Sequence, residues 1–342
     1  MHMNLSGKDI IGEAKEKVSD LIYSWSRSGK DKLDVVTLPN NRADIFIKTI
    51  LGAVDEGENV LYITDEKDNV KLIEGVKRNS DFRGYTHLRK YAKSSLSELT
   101  VCSTATAKEI EDTFDLVIYD EINSMPKYRD EEIIELAETK TRADGKCIIY
   151  SVKNKFSKRE GILLPVGDRK VPMIEPREII TRIDMNKDIP FVVYDYIKWS
   201  IGTGRNVLIY VPDKAKAEKV YGYISRYWAD KCSSVSCFIS GEADMKIAEN
   251  FLKKDRAIMV TDELENPPGA TPDTDIMVFF AGDSRFSGKI LTHLASRVVK
   301  MERHSMGEVI FLCGENSGSV EEARDIIRRF NREAWEMGLL KA

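Results

Sequence analysis

The feature that most constrains this chain is an alternation. Short runs rich in β-branched and other apolar residues are each followed by a longer amphipathic stretch, from one end of the sequence to the other. The strand candidates are Leu33–Leu38, Asn59–Thr64, Leu99–Ser103, Leu116–Asp120 and Cys147–Ser151, then Asn206–Val211, Ser234–Ile239, Ala257–Thr261, Asp275–Phe280 and Glu308–Cys313. Helix-period segments lie between them at Ala43–Glu56, Lys67–Arg78, Asp130–Thr139, Lys214–Trp228, Met245–Lys254 and Val320–Gly338. Strands joined through helices of this length run parallel in sheets covered by helices on their faces, which predicts an α/β fold. The alternation pauses where Gly and Pro gather (GILLPVGDRKVPMIEP), so a linker is expected at 153–188 between a first domain, 1–152, and a second, 189–342, opened by a helix over Phe191–Ile201. A chain of 342 residues is long enough for two such cores.

Composition removes several functions. No apolar run approaches the ~20 residues of a membrane-spanning helix, and the start MHMNLSGKDIIGEAKEK has no signal-peptide core, so a cytoplasmic protein without a membrane span is expected. The five cysteines form no CxxC pair and the four histidines no HExxH, which argues against a structural zinc site, a disulfide framework or a histidine-metal enzyme; no metal site is expected. Residues 1–150 carry 22 Lys+Arg against 28 Asp+Glu, a net −6, and residues 151–342 carry 30 against 28, a net +2. That balance excludes coating of nucleic acid by bulk charge but permits a local basic groove. Two stretches qualify: Lys77, Arg83, Arg89, Lys90 and Lys93 interleaved with Phe82, Tyr85 and Tyr91, and KNKFSKRE from Lys153 to Glu160 with Lys155, Lys158 and Arg159. Each also reads as a solvated face.

The sharpest local string is FDLVIYDEINSMP, Phe114–Pro126. An apolar strand ending in Asp120-Glu121 places two carboxylates at the edge where open α/β sheets bind ligands. There an Asp can hold Mg²⁺ beside a nucleotide and a Glu can polarise water. Such a site needs a Gly-rich loop ending in Lys-Ser/Thr after the first strand. The chain offers Pro39-Asn40-Asn41-Arg42-Ala43-Asp44 at that place. Pro39 lacks an N–H donor, Ala43 has no hydroxyl for a metal, and Arg42 brings a wide planar fork in place of a compact ammonium. Asn40 and Asn41 tolerate left-handed backbone, so the turn can persist. A hydride-transfer enzyme of the dinucleotide type is disfavoured, because no GxGxxG follows any strand.

In this order the segments resemble the ComFA family of late-competence DNA-uptake helicases, within superfamily 2, from about residue 20 to the end. TLPNNRADI stands where that family reads GAGKTE, Asp120–Pro126 looks like its DEVDAFP box with Asn123 for the final acid, and Ser151–Asn154 holds the place of TATP. VLIYVP, Val207–Pro212, is well kept. Thr261–Pro272 aligns with TTTILERGVTFP, so Asn266, Pro267 and Pro268 replace Glu, Arg and Gly. His293–Lys300 looks like QIAGRVGR, with Arg297 for the first arginine and Lys300 for the second, the one expected at the γ-phosphate. The family's four-cysteine zinc module has no counterpart here.

The resemblance implies two RecA-like domains. It also implies vestigial catalytic positions at Asp120, Glu121, Arg297 and Lys300, and a degenerate nucleotide-binding loop at Asn40, Asn41, Arg42 and Ala43. Strand cores persist while groups at the nucleotide site do not, so the leading expectation is a single-stranded-DNA-binding protein with little or no ATP hydrolysis. No cofactor is expected in that case. The alternatives are an active but atypical translocase using ATP and Mg²⁺, with Arg42, Asp120 and Glu121, and a non-catalytic scaffold. DNA-uptake or DNA-processing proteins are the implied partners. The expected strand-binding residues are Arg83, Tyr85, Arg89, Lys90, Lys93, Lys153 and Lys155. Without a triphosphate the two acids need a cation, and Arg42 is expected to contact Asp120 or Glu121.

Overall fold

A computed structural model describes residues 9–67, 70–90, 96–156, 161–168, 171–242, 244–265, 273–298 and 307–340. Two compact units emerge: Met1–Pro172 with Arg332–Ala342, and Met173–Asn331.

The first unit opens with α1 (Ile10–Ser26), whose Ile11, Val18, Ile22 and Trp25 form one buried face. The strands are β1 (Lys32–Thr37), β2 (Val60–Thr64), β3 (Tyr85–Leu88), β4 (Leu99–Cys102), β5 (Phe114–Asp120), β6 (Thr141–Ser151) and β7 (Ile162–Leu164). The helices between them are α2 (Ile47–Asp55), preceded by a 3₁₀ turn at Ala43–Phe46, then α3 (Lys71–Asn79), α4 (Thr104–Glu109) and α5 (Asp130–Lys140). The sheet order is β3-β4-β2-β5-β6-β1-β7, with every pairing parallel. β2 is buried along its whole length, which is why it reads as an unbroken apolar run and not as an alternating one.

The second unit holds β8 (Arg177–Ile180), α6 (Phe191–Gly202), β9 (Asn206–Tyr210), α7 (Lys214–Trp228), β10 (Ser234–Phe238), α8 (Met245–Leu252), β11 (Ala257–Thr261), β12 (Thr274–Phe279), α9 (Gly288–Ser296) and β13 (Val309–Cys313). From it runs α10 (Gly318–Glu336). Its sheet, in the order β10-β11-β9-β12-β13-β8, is also wholly parallel. Helix starts follow local chemistry: the Asp213 carboxylate accepts from Lys216 N–H at 2.9 Å to cap α7, and α5 begins with three acids, Asp130, Glu131 and Glu132, at the positive end of its dipole.

All ten sequence-expected strands are present, in two parallel α/β sheets. Three more were not expected. β3 and β8 are sheet edges, and β7 is a three-residue edge within the segment read as linker. The 153–188 segment therefore supplies one strand to each sheet. α3 begins at Lys71, four residues later than its periodicity suggests, because the Glu66 carboxylate accepts from Lys71 N–H at 2.8 Å.

Candidate nucleotide site

Parallel strands bring the ends of β2, β5, β6 and β1 side by side, so chemistry gathers at their C-terminal edge. Asp120, the last residue of β5, is 2% exposed. Its carboxylate accepts four hydrogen bonds: from the Tyr62 hydroxyl at 2.5 Å, Asn123 Nδ2 at 2.8 Å, Ile122 N–H at 2.7 Å and Asn123 N–H at 3.2 Å. Burial raises its pKa above the usual carboxylate range, and those donors pull against the rise. Burial, then the neighbouring Asp120 charge, pushes the Tyr62 phenol well above its ordinary value.

Glu121 is also buried, and its neighbour is a lysine. Lys155 Nζ lies 2.7 Å from Glu121 Oε2 and 2.6 Å from Asp130 Oδ1, with its side chain fully buried. Asp34 of β1 holds the backbone there, accepting from Lys155 N–H at 2.9 Å and Phe156 N–H at 3.1 Å. A second ammonium comes from α3: Lys71 Nζ donates to Asn123 Oδ1 at 2.8 Å and approaches the Asn40 carbonyl at 3.5 Å. At the mouth of β2, burial raises the Glu66 carboxyl to about 7, against the hydrogen bond from Lys71 N–H.

The loop after β1 keeps its turn. Asn40 adopts φ 61°, the left-handed conformation expected of Asn, and donates its N–H to the Ile122 carbonyl at 3.0 Å. Asn41 is buried inside the loop; its amide donates to Thr37 Oγ1 at 2.8 Å and to the Val166 carbonyl at 2.9 Å, and its Oδ1 accepts from Arg42 N–H at 3.0 Å. Ala43 is fully buried at the start of the 3₁₀ turn.

Two expectations are corrected by this geometry. Arg42 does not meet Asp120 or Glu121. Its guanidinium is half exposed and pairs with Asp168, Nε to Oδ2 at 3.2 Å. The reason is register: β6 lies between β5 and β1, so the end of β6 reaches the acids first. Lys155 does not belong to a nucleic-acid surface, because its ammonium is buried against two carboxylates. Lys153 lies beside it, 3.3 Å from Asp130 and partly exposed.

The remaining residues divide by exposure. Arg83, Arg89 and Lys90 are exposed around the edge strand β3, on which Tyr85 is half-buried beneath the Lys77 ammonium. In the second unit Arg297 is buried, donating to the Tyr210 hydroxyl and to the Leu264 carbonyl at 2.5 Å, with its guanidinium 5.6 Å from the Tyr210 ring centroid. His293 is buried on α9. Lys93, Lys300, Tyr91, Lys158, Arg159, Asn266, Pro267 and Pro268 lie outside the described residues. Among the described residues, no three His, Cys, Asp or Glu side chains stand together as metal ligands, and no helix is long and apolar enough to cross a membrane.

Sequence reading missed Tyr62, Lys71 and Asp168, and the burial of Lys155 against Glu121 and Asp130. A signal for the last was present. Two acids at a strand end with no phosphate-loop lysine require another cation, and the end of the next strand carries two lysines.

No protein-family model matches the chain. It is 22% identical over 344 positions to the competence protein ComFA of Bacillus subtilis (strain 168), covering 95% of this chain and 71% of that one. It is 21% identical over 262 positions to the competence protein ComFA of Streptococcus pneumoniae (strain ATCC BAA-255 / R6), covering 69% of this chain and 57% of that protein. Among solved structures, S. cerevisiae Dbp5 bound to RNA and ADP BeF3 superposes with a TM-score of 0.56 at 12% identity, over 95% of this chain and 92% of that one. That likeness is one of fold.

Proposed function

From a chain that is ComFA-like and carries the superfamily 2 helicase fold, we infer a single-stranded-DNA-binding protein that hydrolyses little or no ATP. The observation that carries this reading is the internal satisfaction of the two acids. Asp120 has four donors from its own unit, and Glu121 has the buried Lys155 ammonium. A metal bound to Asp120 would have to break those hydrogen bonds, and a water activated by Glu121 would have to displace a lysine. The loop supports the same reading: its interior holds the Asn41 amide, and Ala43 supplies no metal ligand. On this reading the residues at the loop and strand end do not fit a triphosphate with its metal. Loss of loop and metal contacts costs several orders of magnitude in phosphoryl transfer.

Nucleic-acid binding does not depend on those groups. The Dbp5 structure of the same fold holds RNA as well as a nucleotide analogue, and the first of these is what we carry over. The surface proposed for it is the edge of the first sheet, with Arg83, Arg89, Lys90 and Lys77 for phosphates and Tyr85 for a base. The test is a pair of measurements on the full chain. ATP hydrolysis, single-turnover and steady-state, is expected at background with and without single-stranded DNA. Fluorescence anisotropy with a labelled oligonucleotide is expected to show binding that falls steeply with salt and ignores ATP. DNA-stimulated hydrolysis would return the protein to the active translocases; no binding at low salt would leave a scaffold.

A further inference from the structure

At the N-terminal edge of the second sheet two loops meet. One follows α7 and leads into β10; the other follows α8 and leads into β11. Both are fastened to their surroundings. Ser233 donates its N–H to the Arg256 carbonyl at 3.0 Å and its hydroxyl to the Asp255 carbonyl at 2.5 Å. The buried Asn206 donates to the Lys254 carbonyl at 2.6 Å and accepts from Ala257 N–H at 2.8 Å. These bonds are made within the unit, so the backbone here is fixed without help from a ligand. The side chains differ. Lys253, Lys254 and Arg256 are exposed, and none of them makes an ion pair among the described residues. Elsewhere in the unit Lys214, Lys216 and Arg205 each meet an acid. In the adjoining loop the Lys231 ammonium is held 3.4 Å above the Tyr227 ring. Arg226, Lys231, Lys253, Lys254 and Arg256 against Asp230 and Asp255 give these two segments a net +3, more than the +2 of the whole 151–342 half.

Backbone conformation adds an independent observation. Arg256 adopts φ 59°, a left-handed conformation that costs a side chain with a Cβ and suits Gly or Asn. Turn geometry therefore does not explain an arginine there, and a strained residue with a free functional group points to use. Helix-end electrostatics accounts for Lys253 and Lys254, which follow the C-terminus of α8, but fades before Arg256. We propose that this edge is a second contact for nucleic acid, at which Lys231, Lys253, Lys254 and Arg256 take phosphates of a single strand without reading its bases. The proposal rests on the DNA-binding reading above and adds to it a surface on the second unit. Fixed loops reduce the ordering cost of binding to that of the side chains, and phosphates complement the excess of positive charge. An anionic membrane would ask for apolar residues to insert as well, and of the exposed large apolar residues only Tyr227 and Leu252 lie in these two segments.

The experiment is a salt series of fluorescence anisotropy titrations on the full chain, with labelled oligothymidine and a mixed-sequence strand of equal length. The triple variant Lys253→Ala, Lys254→Ala, Arg256→Ala is expected to lower the salt slope by ~2 and weaken binding about tenfold at low salt, equally for both strands. Lys198→Ala, which removes an exposed cation from α6, is the charge control and is expected to stay within about twofold of wild type. Arg256→Gly separates use from structure. It removes the cation and relieves the left-handed strain, so it is expected to weaken binding about threefold while raising the thermal midpoint. A lowered midpoint with unchanged binding would make Arg256 structural and overturn its assignment. Cosedimentation with phosphatidylcholine vesicles containing phosphatidylserine is the second arm. Vesicle binding that the triple variant loses while it keeps its DNA affinity would make the edge a membrane surface and overturn the proposal. Wild-type DNA binding that the triple variant retains, with its slope, overturns the second contact and leaves the DNA-binding reading standing. No wild-type binding at low salt ends that reading and this inference with it, so the two failures are distinct.

Discussion

Replacing Lys155 by Met is the most revealing single change. The methionine fills most of the lysine's volume but leaves Glu121, 4% exposed, without its cation at 2.7 Å. Removing one partner of a buried pair costs ~3–5 kcal/mol, because the other charge stays in a medium that solvates it badly. Asp130 is less affected, since 30% of its side chain reaches water and Lys153 lies 3.3 Å away. With a urea m-value of ~2 kcal/mol per molar, the midpoint of the affected transition should fall by ~1.5–2.5 M. The partner variant, Lys155→Met with Glu121→Gln, removes both charges and should recover most of the loss. The assay is urea unfolding by circular dichroism and Trp fluorescence, with each transition fitted separately because the chain has two units. A loss below ~1 kcal/mol for the single variant, or a double variant no better than the single, would refute the claim that this pair neutralises the site.

Other outcomes follow from neighbouring groups. Glu66 has a folded pKa of about 7 against an ordinary 4.5, so its contribution to stability is complete below pH ~4.5 and is lost as pH rises through 7. Glu66→Gln, which still accepts from Lys71 N–H, should match wild type near pH 4.5 and be more stable at pH 8 by ~1–2 kcal/mol, discounted for its partial exposure; a pH-independent difference would count against this. Arg89→Ala and Lys90→Ala should each reduce the salt slope of oligonucleotide binding by ~1, whereas Lys155→Met should leave it unchanged, as anisotropy titrations would show. Asn40→Ala should cost ~1 kcal/mol in thermal unfolding and Asn40→Gly almost nothing, because φ is 61° there; equal effects would mean that the turn relaxes.

What was legible in the sequence was what periodicity and burial write into composition. β5 and β9 are parallel central strands buried on both faces, so they read as apolar runs bounded by turn residues. Strand β3, Tyr85-Thr86-His87-Leu88, sits at an edge with mixed burial, and edge strands need no apolar run to pair on one side. β7 has three residues in a Gly- and Pro-rich stretch, too short for any period. At the site, the strand-end acids were legible as a motif. Their partners were not, because Tyr62, Lys71 and Lys155 come from three other elements and meet Asp120, Asn123 and Glu121 only through strand order. Arg42 looked suitable by its distance along the chain, but the strand between β5 and β1 decides who arrives.

On the proposed reading, the lysines inside this site bear on how such a chain could be given a phosphate-binding loop. Restoring a phosphate-loop lysine alone would add a third ammonium near Lys71 and Lys155, and removing either of those alone would strand a carboxylate or an amide without its donor. Each of these three steps is uphill by itself, so a designer would change loop, strand end and helix start together. The same arithmetic acts on drift: with Glu121 paired to Lys155 and Asn123 bonded to Lys71, neither lysine is lost without cost, and the site's own charges hold these positions to one another.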